Sequence, residues 1–96
     1  MHQHFPTAQD DLRDIVGYLN TLSLDAALKY YDLIVEQIGT LQIMPMHCAL
    51  ARDTQLRLRG YRLLPVKSYI VFFIVNGNTV EIRRILYSKR QYQDLL

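Results

Sequence analysis

A chain of 96 residues carries one domain, residues 1–96, with no room for a second. Half of it is apolar and 21% is charged, which excludes a disordered chain, and its longest apolar run, residues 69–75, is far too short for the ~20 residues of a membrane helix. The formal charge of +2 hides an asymmetry: residues 1–50 hold two Lys/Arg against six Asp/Glu, a balance of −4, and residues 51–96 hold nine against three, a balance of +6.

The opening residues, MHQHFPTAQDD, have neither a basic start nor an apolar stretch, so no secretory leader is expected. Thr7-Ala8-Gln9-Asp10 fits the start of a helix, with Pro6 just before it. Ala8, Leu12, Ile15 and Leu19 then recur at helical spacing, and Asn20-Thr21 should end the segment. Ser23 or Asp25 can cap a second helix with the stripe Ala27, Tyr31, Ile34, Ile38 and Leu41. Met44-Pro45 stops it, because the residue before proline avoids the α region. A connection of about four residues makes the two helices antiparallel neighbours.

A loop over residues 45–54 follows, and then the period changes. Residues 55–66 are basic and aliphatic and read as a strand, with Pro65 arguing for an edge or a bulge. Tyr69-Ile70-Val71-Phe72-Phe73-Ile74-Val75 has the β-branched and aromatic composition of a central strand. Asn76-Gly77 predicts a two-residue hairpin loop, and residues 79–86 the returning strand. That loop would set Phe73 opposite Val80, Val71 opposite Ile82 and Ile70 opposite Arg83. Val71, Phe73, Val80 and Ile82 then face the helices, and Ile70, Phe72, Glu81 and Arg83 a side at least partly open. Arg83-Arg84 breaks the alternation and predicts a bulge. The tail, residues 88–96, should make a helical turn or two, with Leu95 and Leu96 returning to the sheet. The expected class is α+β: an antiparallel helix hairpin on one face of a small antiparallel sheet.

Little in this chain carries chemistry. The four glycines are scattered, so no phosphate-cradling loop forms. His2 and His4 are half a metal site, and His47 with Cys48 lacks further ligands, so neither a metal nor a cofactor is expected. Cys48, the single cysteine, cannot form an internal disulfide, which makes a reducing, cytoplasmic setting the default. Asp10, Asp11 and Asp14 lie where carboxylates offset a helix dipole. The informative residues are cationic and aromatic: Arg57, Arg59, Arg62 and Lys67 on the early strands, Arg83, Arg84, Lys89 and Arg90 on the last strand and tail, interleaved with Tyr61, Tyr69, Tyr87 and Tyr92. Arginine grips phosphate and tyrosine stacks on bases, which suits RNA; long cations also discourage edge-to-edge pairing of a sheet.

From Ala8 to Leu96 the chain resembles the RelE/ParE family of toxins from type II toxin–antitoxin modules. The resemblance is carried by Asp11-Leu12, Ile15 and Tyr18-Leu19, by Tyr31, Ile34 and Ile38, by Gly60-Tyr61-Arg62, by the run Lys67 to Val75, and by Val80-Glu81-Ile82-Arg83-Arg84-Ile85-Leu86-Tyr87-Ser88-Lys89-Arg90. It implies two helices on a curved antiparallel sheet, agreeing with the pattern above. Family members usually open with a full strand. Here only residues 1–5 are available, so that strand is short or absent, and the sheet edge would be open to a partner strand or to a second copy of this chain in a homodimer. The family's tail glycine and aspartate are replaced by Ser88 and Gln91.

The resemblance implies one of two activities. RelE-like members cut mRNA on the ribosome without metal, which needs a base, an acid and cations around the phosphate. Arg62 matches a basic strand position of that branch and Tyr87 the terminal His/Tyr position of the broader family, which makes them the catalytic pair if the chain is a nuclease, with Tyr87 as proton donor. But the branch's second strand arginine falls at Ile70, and Leu64 and Pro65 occupy its lysine-rich strand. ParE-like members inhibit DNA gyrase, and the stretch from Arg84 to Tyr87 is closer to them. A gyrase-type or other non-nuclease target is therefore narrowly preferred to mRNA cleavage, with a non-toxic binding module as a further alternative. Arg59, Arg62, Lys67, Arg83, Arg84, Lys89 and Arg90 are the residues expected to meet the target or RNA. The resemblance also implies a cognate antitoxin whose acidic segment suits the +6 half, with promoter DNA bound only through the antitoxin complex. The site expectation is geometric: the helices leave the far side of the sheet free, and that side gathers the guanidinium and phenol groups.

Overall fold

Thr7 starts the first helix by a reciprocal cap: the Asp10 carboxylate accepts the Thr7 N–H at 2.9 Å and the Thr7 hydroxyl accepts the Asp10 N–H at 3.3 Å. The structure, a computed structural model, describes residues 6–96, so the short or absent first strand expected over residues 1–5 lies outside the described residues. Helix α1 runs Ala8–Leu22, slightly past the predicted end. Ser23 then serves both helices. Its extended backbone donates its N–H to the Leu19 carbonyl at 2.8 Å, and its Oγ accepts the Ala26 N–H at 3.2 Å, opening α2, Leu24–Thr40. One residue between helices leaves them only an antiparallel return. Ile15, Leu19, Ala27 and Ile34 bury the facing stripes.

The stretch read as one long strand from residue 55 divides into a helix and a strand. Asp53 accepts the Leu56 N–H at 3.1 Å and caps α3, Thr54–Leu58. Gly60, at φ +84°, ends that turn in a left-handed conformation that suits glycine. Strand β1 therefore starts only at Tyr61 and runs Tyr61–Val66. It pairs antiparallel with β2, Tyr69–Asn76, which pairs antiparallel with β3, Thr79–Tyr87, in the order β1-β2-β3. Pro65 lies on an edge strand, as predicted. Residues 49–51 run beside β1, where Ala51 N–H donates to Tyr61 O at 2.9 Å and Leu63 N–H to Ala49 O at 3.1 Å.

The hairpin register differs from the prediction by two residues on the turn side of the sheet and by three beyond the bulge. Asn76 pairs with Thr79, so the loop is Gly77-Asn78; the partners are Phe73–Ile82, Val71–Ile85 and Ile70–Leu86. Gly77, at φ +61°, takes the first loop position, the pattern of a type II′ turn. A two-residue slip preserves the faces near the turn, so Val71, Phe73, Val80 and Ile82 still lie toward the helices. The predicted bulge is present: the register shifts between Phe72 and Phe73, leaving Arg83 as the extra residue and turning Ile85 onto the helix face.

The far side of the sheet is not free in its middle. Phe72 is fully buried in a second core with Ala51, Leu56, Tyr61 and Leu86. The Tyr92 ring lies 4.8 Å from the Phe72 ring, and Leu95 and Leu96, around a short 3-10 turn at Gln93–Leu95, return to the sheet as expected. The reason is in β2: Ile70, Phe72 and Ile74 make its second face as apolar as its first, so both sides need cover. Ile70 and Glu81, both half-buried, and Arg83, exposed, keep that side partly open as predicted, and Phe72 does not.

Candidate functional site

Antiparallel pairing sets Tyr69, at the start of β2, opposite Tyr87, at the end of β3. Their ring centroids are 6.0 Å apart, edge to face, and Tyr30 from α2 meets Tyr69 edge-on at 5.8 Å. Tyr18 completes the group from α1. Tyr18 is 60% exposed and Tyr87 45%, whereas Tyr30 and Tyr69 are half-buried. Burial raises the Tyr69 phenol pKa above its ordinary 10.0, and the neighbouring phenols of Tyr30, Tyr18 and Tyr87 add to the rise. Among the described residues, none of these four hydroxyls has a hydrogen-bond partner.

Two turns bring cations to the same end of the sheet. Lys67 sits at φ +55° in the turn from β1 to β2. Ser88, just past β3, donates its N–H to the Ser68 carbonyl at 2.8 Å, and Arg90 N–H donates to Tyr87 O at 3.0 Å. Lys67, Lys89 and Arg90 therefore gather around two adjoining turns, all exposed and without an ion-pair partner among the described residues. Beside them a cleft of about 190 Å³ opens between α1 and the exit of β3, lined by Asp14, Tyr18, Tyr69, Tyr87 and Arg90. Asp14 and Tyr18 share one side of α1 by their spacing of four.

The other predicted cations are drawn elsewhere. Arg84 grips Asp11 of α1 through Nε at 2.7 Å and Nη2 at 2.9 Å, and gives Nη1 to the Leu95 carbonyl at 3.0 Å. Asp11 also accepts the Ile85 N–H at 2.9 Å, so one buried carboxylate ties helix to strand. These hydrogen bonds hold Arg84 charged more firmly than a free guanidinium, outweighing burial. Arg59 donates to the Leu96 carbonyl at 2.5 Å and lies 5.0 Å from the centre of the Tyr61 ring. Arg62 donates to the Cys48 carbonyl at 2.6 Å, and Arg83 pairs with Glu81 at 3.7 Å. Burial pushes the Cys48 thiol up, partly opposed by Arg62.

The expected catalytic pair is separated by the register. Arg62 pairs with Phe73 and Tyr87 with Tyr69, four residues apart along β2 and on opposite outer strands. That is about 13 Å along the strand and about 10 Å across it. Of the eight predicted site residues, Lys67, Tyr87, Lys89 and Arg90 come together, while Arg59, Arg62, Arg83 and Arg84 do not join them. Sequence reasoning assigned Asp14 to the helix dipole and gave Tyr18 no role at the site. Their i, i+4 spacing was the available signal. Among the described residues, no three His, Cys, Asp or Glu side chains converge as a metal site would require.

Residues 6–92 match the family model of the ParE toxin of the type II toxin–antitoxin system, parDE. A solved structure described as a chromosomal ParDE toxin–antitoxin system from P. aeruginosa superposes with a TM-score of 0.72 at 28% identity, over 86% of this chain and 89% of that one. No curated protein matches the sequence.

Proposed function

Since the chain belongs to the ParE toxin family of type II toxin–antitoxin systems, we propose that it is a growth-inhibiting toxin that acts by occupying a protein target of the DNA gyrase type rather than by cutting RNA. The separation of Arg62 from Tyr87 carries this reading. Cleaving one phosphodiester requires proton transfer and charge stabilisation within hydrogen-bond reach of the same few atoms. Here Arg62 is engaged by a backbone carbonyl, and Arg59 and Arg84 are tied to the tail. What is left free is a binding surface: Lys67, Lys89 and Arg90 around the exposed Tyr87, a mixture of exposed cations and a rigid amphipathic ring that suits protein interfaces.

A cognate antitoxin holds the toxin in check, its acidic segment drawn to the half of the chain with a charge balance of +6. Promoter DNA is contacted through that antitoxin. Inducing the chain alone in a bacterium, then assaying gyrase supercoiling and ribosome-bound mRNA in parallel, tests the reading. Growth arrest with loss of supercoiling, relieved in a K89A/R90A double variant, is expected. mRNA cleavage that disappears in Arg62→Ala and Tyr87→Phe would establish the nuclease instead, and normal growth with soluble folded protein would leave a binding module.

A further inference from the structure

The cleft between α1 and the exit of β3 has two chemically different ends. At one stands Asp14, an exposed carboxylate with no ion-pair or hydrogen-bond partner among the described residues. At the other stands Arg90, equally unpaired, with the exposed Lys67 and Lys89 on the two adjoining turns beside the cleft rather than in its lining. Tyr18 and Tyr87 wall the space between them, and Tyr69 lies deeper. A ligand satisfying all of this is flat in the middle, rich in N–H donors at one edge and strongly anionic at the other. A cationic side chain would satisfy Asp14 but meet three like charges. A simple anion would satisfy the turns and leave the carboxylate and the rings unused.

We infer that this cleft binds a guanine nucleotide, with the base between Tyr18 and Tyr87 and its phosphates on the adjoining turns. Guanine alone among the common bases offers two adjacent N–H groups, N1–H and the exocyclic amine, to the two oxygens of one carboxylate. Adenine and cytosine each place an acceptor beside their amine, and uracil flanks its single N–H with carbonyls. A carboxylate accepts only, so Asp14 repels those edges. About 190 Å³ is well below the ~300–1,000 Å³ of pockets that bury a drug-sized molecule, and it admits a single ring system with the phosphates outside. Lys89 and Arg90, one residue apart on the turn that Ser88 pins to Ser68, meet the phosphates with charge-assisted hydrogen bonds.

The inference rests on the reading of this end of the sheet as the surface through which the chain acts. Calorimetric titration of the full chain with GDP, ADP and inorganic pyrophosphate tests it. GDP should bind at least tenfold more tightly than ADP. Asp14→Asn, at an exposed position that keeps its fold by circular dichroism, should erase that preference and leave pyrophosphate binding unchanged, whereas K67A/K89A should weaken all three ligands. Equal affinity for GDP and ADP, GDP binding unaltered by Asp14→Asn, or no binding overturns it. Growth assays of K89A/R90A separate the two claims. Relief of arrest in that variant, with no GDP binding by the wild-type chain, sinks only the nucleotide site, and undiminished arrest in that variant, with GDP selectivity in the wild-type chain, sinks only the action surface.

Discussion

Replacing Asp11 by alanine should cost the protein a large share of its stability. The Asp11 carboxylate accepts three hydrogen bonds, from Ile85 N–H at 2.9 Å and from Arg84 Nε and Nη2 at 2.7 and 2.9 Å. The two side chains are only 9% and 12% exposed. Without Asp11 the Arg84 guanidinium keeps the Leu95 carbonyl alone, and the Ile85 N–H is left bare beside the core. Breaking a buried pair by removing one partner costs about 3–5 kcal/mol, and the orphaned N–H favours the upper part of that range. A domain of this length has roughly 5–14 kcal/mol in total. With a urea slope of ~1.5 kcal/mol/M, the midpoint should fall by about 2–3 M with the slope unchanged. Asp11→Asn should lose less, because an amide oxygen can still accept the Ile85 N–H. Pairing Asp11→Ala with Arg84→Met should restore part of the loss, since no charge is then stranded, giving a coupling above about 1 kcal/mol in the double-mutant cycle. If Asp11→Ala costs under 1 kcal/mol, or the two changes simply add, the carboxylate does not join α1 to β3 in this way.

Gly39→Ala should stabilise the chain by about 0.5–1 kcal/mol, a rise of several degrees in Tm, because the position is helical and a Cβ there meets nothing within 4 Å. A fall in Tm would contradict the backbone-entropy account. Ser23→Ala should cost about 1 kcal/mol in urea unfolding, since one hydroxyl opens α2 where α1 ends. Stability should decline as pH rises above 9. The unfolded chain ionises Cys48 near 9.0 while burial keeps the folded thiol protonated at higher pH, so the unfolded state binds fewer protons in that window. The contribution of Cys48, at most about 1.4 kcal/mol per pH unit, should vanish in Cys48→Ala, leaving a later decline that begins above 10 from Tyr69. An unchanged alkaline limb in Cys48→Ala would refute the assignment.

Local rules were enough for α1, α2 and the succession of three strands, but not for α3, which lies in a stretch that reads as strand. The cap at Thr7, the stripes through Ile15 and Ile34, and the apolar run of β2 are repeated short-range signals, and each reappears where its period placed it except at Tyr31, which is 45% exposed while Tyr30 packs against the core in its stead. The bulge at Arg83 was legible for the same reason, as a break in a period of two. Asp11 was hidden in plain view: three residues after Ala8 and four before Ile15, it lies on the buried stripe, yet in sequence it looked like one more acid at a helix start. The hairpin register depended on which of two candidate turns glycine would serve. Asn76-Gly77 and Gly77-Asn78 both close a hairpin, and only packing of the whole sheet chooses between them. Which cations stay free was decided by tertiary structure alone. Arg59, Arg62 and Arg84 differ from Arg90 only in what the folded chain sets beside them: a terminal carbonyl, a loop carbonyl and a buried carboxylate in one case, solvent in the other. A guanidinium satisfies its donors with the nearest acceptors, and those acceptors come from segments up to 73 residues distant along the chain. The residue types were thus written in the sequence, and their division into braces and binding groups was made by the fold.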